Sequence, residues 1–162
     1  MKDKKIFIYG YGNPGRTDDG LGNEFVNKID AWIKENNITN IETDSNYQLN
    51  IEDAEAISDK DIVIFVDASQ EGIEDFIFTK VNPSDAKIEF TMHAVSTSYI
   101  LDLCNKIYNK TPETYLLHIK GYDWELKEGL TEKAVNNLNL ALAFFKDKLK
   151  DPDSLKEHID NI

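Results

Sequence analysis

Short continuous apolar runs and stripes of apolar residues at helical spacing follow one another along the chain. The apolar runs predict strands at residues 6–9, 62–66 and 115–119. The more alternating segment 76–81 predicts an edge strand, and the short, polar segment 41–45 is a candidate second strand. Apolar positions spaced by three and four predict helices over residues 21–33, 49–57, 100–108 and 131–149. The run from Ile62 to Val66 has no alternation, which is typical of a central strand buried on both faces of a parallel sheet. The pattern therefore predicts a single-domain α/β/α sandwich, with a twisted, mainly parallel sheet of about five strands and helices on both faces.

Length and charge limit the alternatives further. The chain has 162 residues, and we expect one domain over residues 1–150. Residues 151–162 are mostly charged and predict a tail that is frayed or loosely docked. The formal net charge is −12, which repels nucleic-acid phosphates and anionic membranes and excludes both as expected partners.

Cysteine content and the N-terminal segment indicate the compartment. Cys104 is the single cysteine, so neither an internal disulfide nor a CxxC metal site is possible, and its place in an apolar helical stripe favours core packing. The apolar run near the N-terminus is too short for a signal peptide or a membrane span. We therefore expect a cytoplasmic protein, acting as a monomer.

A glycine-rich turn follows the first strand. It reads Gly10-Tyr11-Gly12-Asn13-Pro14-Gly15 and matches G-x-G-x-x-G, the dinucleotide-binding pattern. Asp18 and Asp19 stand where a pyrophosphate would bind the helix N-terminus, and their charge would repel it. One alternative for these two residues is helix capping. The other is a ligand site, since the surrounding glycines, including Gly22, keep side chains out of the space above the turn.

Two further residues stand at junctions between predicted strands and helices. Asp67 follows the buried strand, and His93 precedes the third helix. A turn-forming aspartate and a partly buried histidine are the structural alternatives. Because such junctions meet at one edge of a parallel sheet, Asp19, Asp67 and His93 could converge as an open shell for a divalent metal ion.

The motifs also resemble those of a known family, the hydrogenase maturation endopeptidases. These enzymes remove the C-terminal extension from the large subunit of nickel–iron hydrogenases. The resemblance rests on four segments in order, which are Gly10 to Gly22, Val63 to Ala68, His93 to Ser96, and Gly121 with Gly129-Leu130-Thr131. It covers nearly the whole globular part.

The resemblance implies a hydrolase, an aspartic-type endopeptidase whose nickel-contacting and catalytic residues are Asp19, Asp67 and His93. Gly12 and Asn13 are implied in the substrate cleft, and Asp18 in support of the turn. Nickel would be carried by the partner, a nickel–iron hydrogenase large-subunit precursor, rather than held permanently. Two alternatives stay open, namely a non-catalytic nickel checkpoint or chaperone with this fold, and a nucleotide-binding Rossmann-like protein.

Overall fold

A computed structural model describes residues 3–84 and 95–160 of the chain. The strands are β1 (Ile6–Tyr11), β2 (Ile41–Asn46), β3 (Ile62–Ser69), β4 (Phe76–Lys80) and β5 (Glu113–Lys120). The helices are α1 (Leu21–Glu35), α2 (Asp53–Ile57), α3 (Thr97–Tyr108) and α4 (Glu132–Lys148). Two 3-10 segments, Thr17–Gly20 and Pro152–His158, complete the described elements.

In the described residues, the strands form one sheet in the order β2-β1-β3-β5-β4. The first four strands in this order pair in parallel, and β4 pairs antiparallel with β5 at the edge. The central position of β3 and the edge position of β4 confirm the predictions from the apolar runs. The predicted fold class is also confirmed.

Helices cover both faces of the sheet. On one face, α1 and α4 bury an apolar cluster that includes Ile8, Ile64 and Phe145. On the other face, α2 and α3 pack over a second cluster that includes Phe65 and Cys104. Cys104 is fully buried, in agreement with its predicted place in the core. Among the described residues, no helix is long and apolar enough to cross a membrane.

The described part of the tail is packed against the domain, unlike the frayed segment expected from its charge. Leu155 is fully buried in the α1/α4 cluster. The Asp160 N–H donates to the Phe78 carbonyl at 2.7 Å, and the Phe78 N–H donates to the Asp160 carboxylate at 2.8 Å. One buried leucine and two hydrogen bonds between Phe78 and Asp160 therefore dock the described tail residues despite their charge.

Candidate functional site

A cleft of about 560 Å³ opens at the carboxyl ends of the parallel strands. After β1 the chain continues to β2 on one side, and after β3 it continues to β4 at the opposite edge, so the strand order reverses between β1 and β3. Such a reversal creates a crevice where α/β proteins bind ligands. Asp19, Asp67 and Gly12 all line this cleft, which places three of the predicted site residues together.

The turn after β1 is built around Asp19. The Asn13 N–H donates to Asp19 Oδ2 at 2.9 Å, and Asn13 Oδ1 accepts from the Gly15 N–H at 2.9 Å. Gly12 has φ +151°, and a Cβ at this position would lie 2.0 Å from the Asp19 carbonyl oxygen. The turn therefore requires glycine at position 12 and holds the Asp19 carboxylate at the cleft.

Neither aspartate is the N-cap of α1, although both lie in the first turn of the preceding 3-10 segment. The N-cap of α1 is Gly20, and no side chain accepts a hydrogen bond there. Gly22 does not keep the space above the turn open for a ligand, as the sequence analysis expected. An added Cβ at this position would lie 2.4 Å from the Val66 carbonyl oxygen. This glycine allows α1 to pack closely against the sheet, rather than leaving space for a ligand.

Asp18 has a different environment from Asp19 and is fully buried. Its carboxylate accepts main-chain N–H donors from Tyr122, Asp123 and Thr131 at 2.7, 3.1 and 2.8 Å, and the Thr131 hydroxyl at 2.8 Å. These donors all belong to the segment between β5 and α4. Asp18 therefore joins two loops beside the cleft.

Asp67 lies inside β3, which continues three residues further than the predicted strand. Burial, followed by the negative charge of Asp19, raises the pKa of the Asp67 carboxyl to about 7. Hydrogen bonds from the Ala68 main chain and the Tyr11 hydroxyl oppose this rise without cancelling it. Near neutral pH, this group can therefore either hold or accept a proton, as a general acid or base requires.

His93 lies outside the described residues. The chain segment that follows it is described: Val95, Ser96, Thr97 and Ser98 line the same cleft. Ser96 is the N-cap of α3, and its hydroxyl accepts the Tyr99 N–H at 3.1 Å. The α3 end of the third predicted motif is thus next to Asp19 and Asp67, whereas the position of His93 stays a prediction.

Three other residues line or support the cleft but were missed as site residues. Tyr11 hydrogen-bonds Asp67, and His118 and Trp124 contribute to the cleft wall. His118 falls in the middle of the strand predicted at residues 115–119. Its position near the carboxyl end of β5, on a face that alternates with the buried Leu117 and Ile119, was the signal available in the sequence.

The arrangement offers two carboxylates of different character at one open cleft. Burial and the negative charge of Asp19 raise the pKa of the Asp67 carboxyl. Carboxylate oxygens can also complete the coordination of a divalent metal ion. Across residues 3–84 and 95–160, no three His, Cys, Asp or Glu side chains are grouped closely enough to hold such an ion alone.

Comparisons with known proteins find similarity to the same group of proteins that the motifs resemble. No family model matches the chain. A Methanocaldococcus jannaschii protein named "Putative hydrogenase maturation protease" is 27% identical over 161 residues, which covers 93% of this chain and 99% of that protein.

Solved structures share the fold. The [NiFe] hydrogenase maturation protease HycI from Thermococcus kodakarensis has TM-score 0.72 and 18% identity, with 91% of this chain and 94% of that chain covered. The hydrogenase maturating endopeptidase HybD from E. coli has TM-score 0.60 and 17% identity, covering 89% and 93%. The comparisons confirm the resemblance found in the sequence.

Proposed function

We propose that this chain is a hydrogenase maturation endopeptidase, a hydrolase that removes the C-terminal extension of a nickel–iron hydrogenase large-subunit precursor after nickel insertion. The relative from M. jannaschii and the structural neighbours are named as proteases or endopeptidases of hydrogenase maturation, which supports the activity. The observation that carries the proposal for this chain is the convergence of Asp19 and Asp67 at the carboxyl edge of the sheet.

In this proposal, nickel is part of the substrate. Asp19 and Asp67 would contact the nickel already inserted in the precursor, together with His93. A metal ion at this place can polarise a carbonyl group or activate a water molecule. The nickel requirement then makes cleavage a checkpoint on assembly of the hydrogenase site.

The chain's own residues have separate tasks in peptide hydrolysis. Asp19 is fixed by the Asn13 N–H and presents a carboxylate to the cleft. Asp67, with its pKa raised to about 7, exchanges a proton with the attacking water or the leaving amine. A carboxylate pair of this kind supports the aspartic-type assignment. Gly12 lines the cleft and permits the turn that holds Asp19, and Asn13 supports Asp19.

The nucleotide-binding alternative has less support. Instead of opening directly into α1, the glycine-rich turn leads into a 3-10 segment that contains Asp18 and Asp19. A pyrophosphate at this turn would meet the Asp19 carboxylate, which lines the cleft. The cytoplasmic location and the monomeric state stay predictions.

The experiment is intact mass spectrometry of the large-subunit precursor after incubation with the chain. The precursor is supplied with and without nickel, and Asp19→Asn, Asp67→Asn and the exposed Glu128→Gln are run beside the wild type. We expect loss of a C-terminal peptide only from the nickel-loaded precursor, with the wild type and Glu128→Gln active.

Other outcomes separate the alternatives. Cleavage of both precursor forms would keep the protease and reject the nickel checkpoint. An unchanged mass together with measurable binding of the nickel-loaded precursor would favour the non-catalytic checkpoint or chaperone.

A further inference from the structure

Polar side chains form a row across the carboxyl edge of the sheet, on the face covered by α2 and α3. Gly10 pairs with Val66, so Tyr11 and Asp67 are the next neighbours along β1 and β3, and their side chains hydrogen-bond. Asp67 is in turn the register partner of His118 on β5. Directly paired residues of parallel strands point to the same face, so His118 extends the row beyond Asp67.

His118 lines the same cleft as Asp19 and Asp67. The strand β5 alternates, with Leu117 and Ile119 buried on the α1/α4 side and His118 half-buried on the other. The imidazole therefore belongs to the cleft wall and not to the packed core.

One ring nitrogen of His118 has a partner within the sheet. Nε2 lies 2.9 Å from the Thr79 hydroxyl on β4. Among the described residues, Nδ1 makes no hydrogen bond. Burial lowers the pKa of the imidazole, so the ring is neutral at neutral pH. A neutral imidazole carries one donor and one acceptor, and Thr79 engages one of them.

We propose that His118 is a substrate-binding residue, which hydrogen-bonds a main-chain peptide group of the precursor segment lying in the cleft beside Asp67. This proposal rests on the proposed function and assigns it a further residue. A peptide group offers both an N–H and a C=O, so it pairs with Nδ1 in either tautomer of the ring. Leu116 and Trp124 line the same wall and supply apolar contact for side chains of an extended segment.

The test measures KM and kcat for cleavage of the nickel-loaded precursor by intact mass. His118→Phe keeps a planar ring without hydrogen-bonding atoms, and we expect KM to rise roughly 5- to 30-fold with kcat within about 2-fold. His118→Gln keeps an amide donor and acceptor and should recover part of this loss. The matched control is His158→Gln, outside the cleft, which should leave both constants unchanged.

A purely structural role of His118 predicts a different result. In that case His118→Phe would lower the melting temperature and leave KM unchanged, which overturns the proposal. A fall in kcat at constant KM also overturns it, because the contact would then form only in the transition state. If His118→Phe does not fold, His118→Leu, which also lacks hydrogen-bonding atoms, is compared with the wild type, since an unchanged KM in that variant overturns the proposal.

Binding separates this proposal from the proposed function. If the wild type does not cleave, the protease assignment fails, and binding of the nickel-loaded precursor to immobilised wild type and His118→Phe is compared instead. Weaker binding by 5-fold or more supports the role of His118. Equal binding, or no binding by the wild type, overturns it.

Discussion

Asp18 and Asp19 are consecutive carboxylates with opposite surroundings. Asp18 is enclosed by four donors from the β5–α4 segment, whereas Asp19 accepts one main-chain N–H and faces the cleft. A buried carboxylate is stabilised when its oxygens are saturated with donors. Asp18 is therefore a structural group and Asp19 a candidate for chemistry, although they are adjacent.

Asp18→Asn tests this division. The amide has one acceptor oxygen, and its NH₂ group would face N–H donors that lose their partner. We expect the free energy of unfolding to fall by about 2 to 4 kcal/mol, measured by urea denaturation. The control is Asp123→Asn, which alters a carboxylate with one local hydrogen bond to the Glu125 N–H. Equal effects of the two variants would contradict the assignment.

Asp67 lowers the free energy of unfolding by an amount that depends on pH. Its pKa of about 7 in the fold lies above the ordinary value of 3.8. Below pH 4 the Asp67 carboxyl is protonated in both the folded and the unfolded protein, so its ionisation costs no stability there. As the pH rises through 7, the unfolded protein ionises this group more readily than the folded protein does, and the free energy of unfolding falls. Asp67→Asn carries no charge and should match the wild type near pH 4.

At pH 8, Asp67→Asn should exceed the wild type in unfolding free energy by roughly 1 to 3 kcal/mol. Thermal and urea unfolding between pH 4 and pH 8 measure the difference, with Glu128→Gln as the control. An offset independent of pH would show that packing, not ionisation, causes it. The same variant should lose precursor cleavage, because a functional site retains destabilising groups.

At the scale of elements, close packing of α1 on the sheet positions Asp19. A Cβ on Gly22 would lie 2.4 Å from the Val66 carbonyl oxygen and 3.0 Å from that of Tyr11. Both obstacles are main-chain atoms, which cannot rotate away. The helix must therefore shift if this glycine is replaced, and the preceding 3-10 segment would shift with it.

Gly22→Ala separates helix propensity from packing. In an exposed helix the change stabilises by about 1 kcal/mol. Here we expect destabilisation by about 2 kcal/mol or more in urea denaturation, and reduced precursor cleavage through displacement of Asp19. Asn27→Ala, on the exposed side of α1, should change stability by less than about 0.5 kcal/mol. A neutral or stabilising Gly22→Ala would disprove the close contact.

The elements were largely predictable from the sequence, whereas the long-range contacts between them were not. Apolar spacing predicted the four α-helices and the buried strands, because burial on one face or both leaves a period in the chain. The polar strand β2 carries almost no such pattern. The partners of Asp18 lie 104 to 113 residues away, and no local pattern records such a contact. His118 carried a local signal in the alternation of β5, but its pairing with Asp67 depends on the strand register.

At the scale of the whole molecule, the two edges of the sheet have different roles. The cleft lies at the carboxyl ends of the parallel strands. The tail reaches the opposite, amino ends through an ion pair of 2.6 Å between Lys4 and Asp153. Asp160 continues the hydrogen bonding of the edge strand β4 through Phe78. Covering an edge strand protects it from pairing with other chains. We therefore assign the tail to stability and not to catalysis.

Leu155→Ala tests that assignment. Leu155 is fully buried, and its truncation leaves a cavity in the α1/α4 cluster that should cost about 2 to 4 kcal/mol. We expect the melting temperature to fall by roughly 5 to 12 °C, while kcat/KM for the precursor at 25 °C stays within about 2-fold of the wild type. Val135→Ala, on the partly exposed side of α4, is the control and should change the melting temperature far less. Loss of cleavage at an unchanged melting temperature would instead place the tail in substrate binding, because the substitution would then reduce activity without reducing stability.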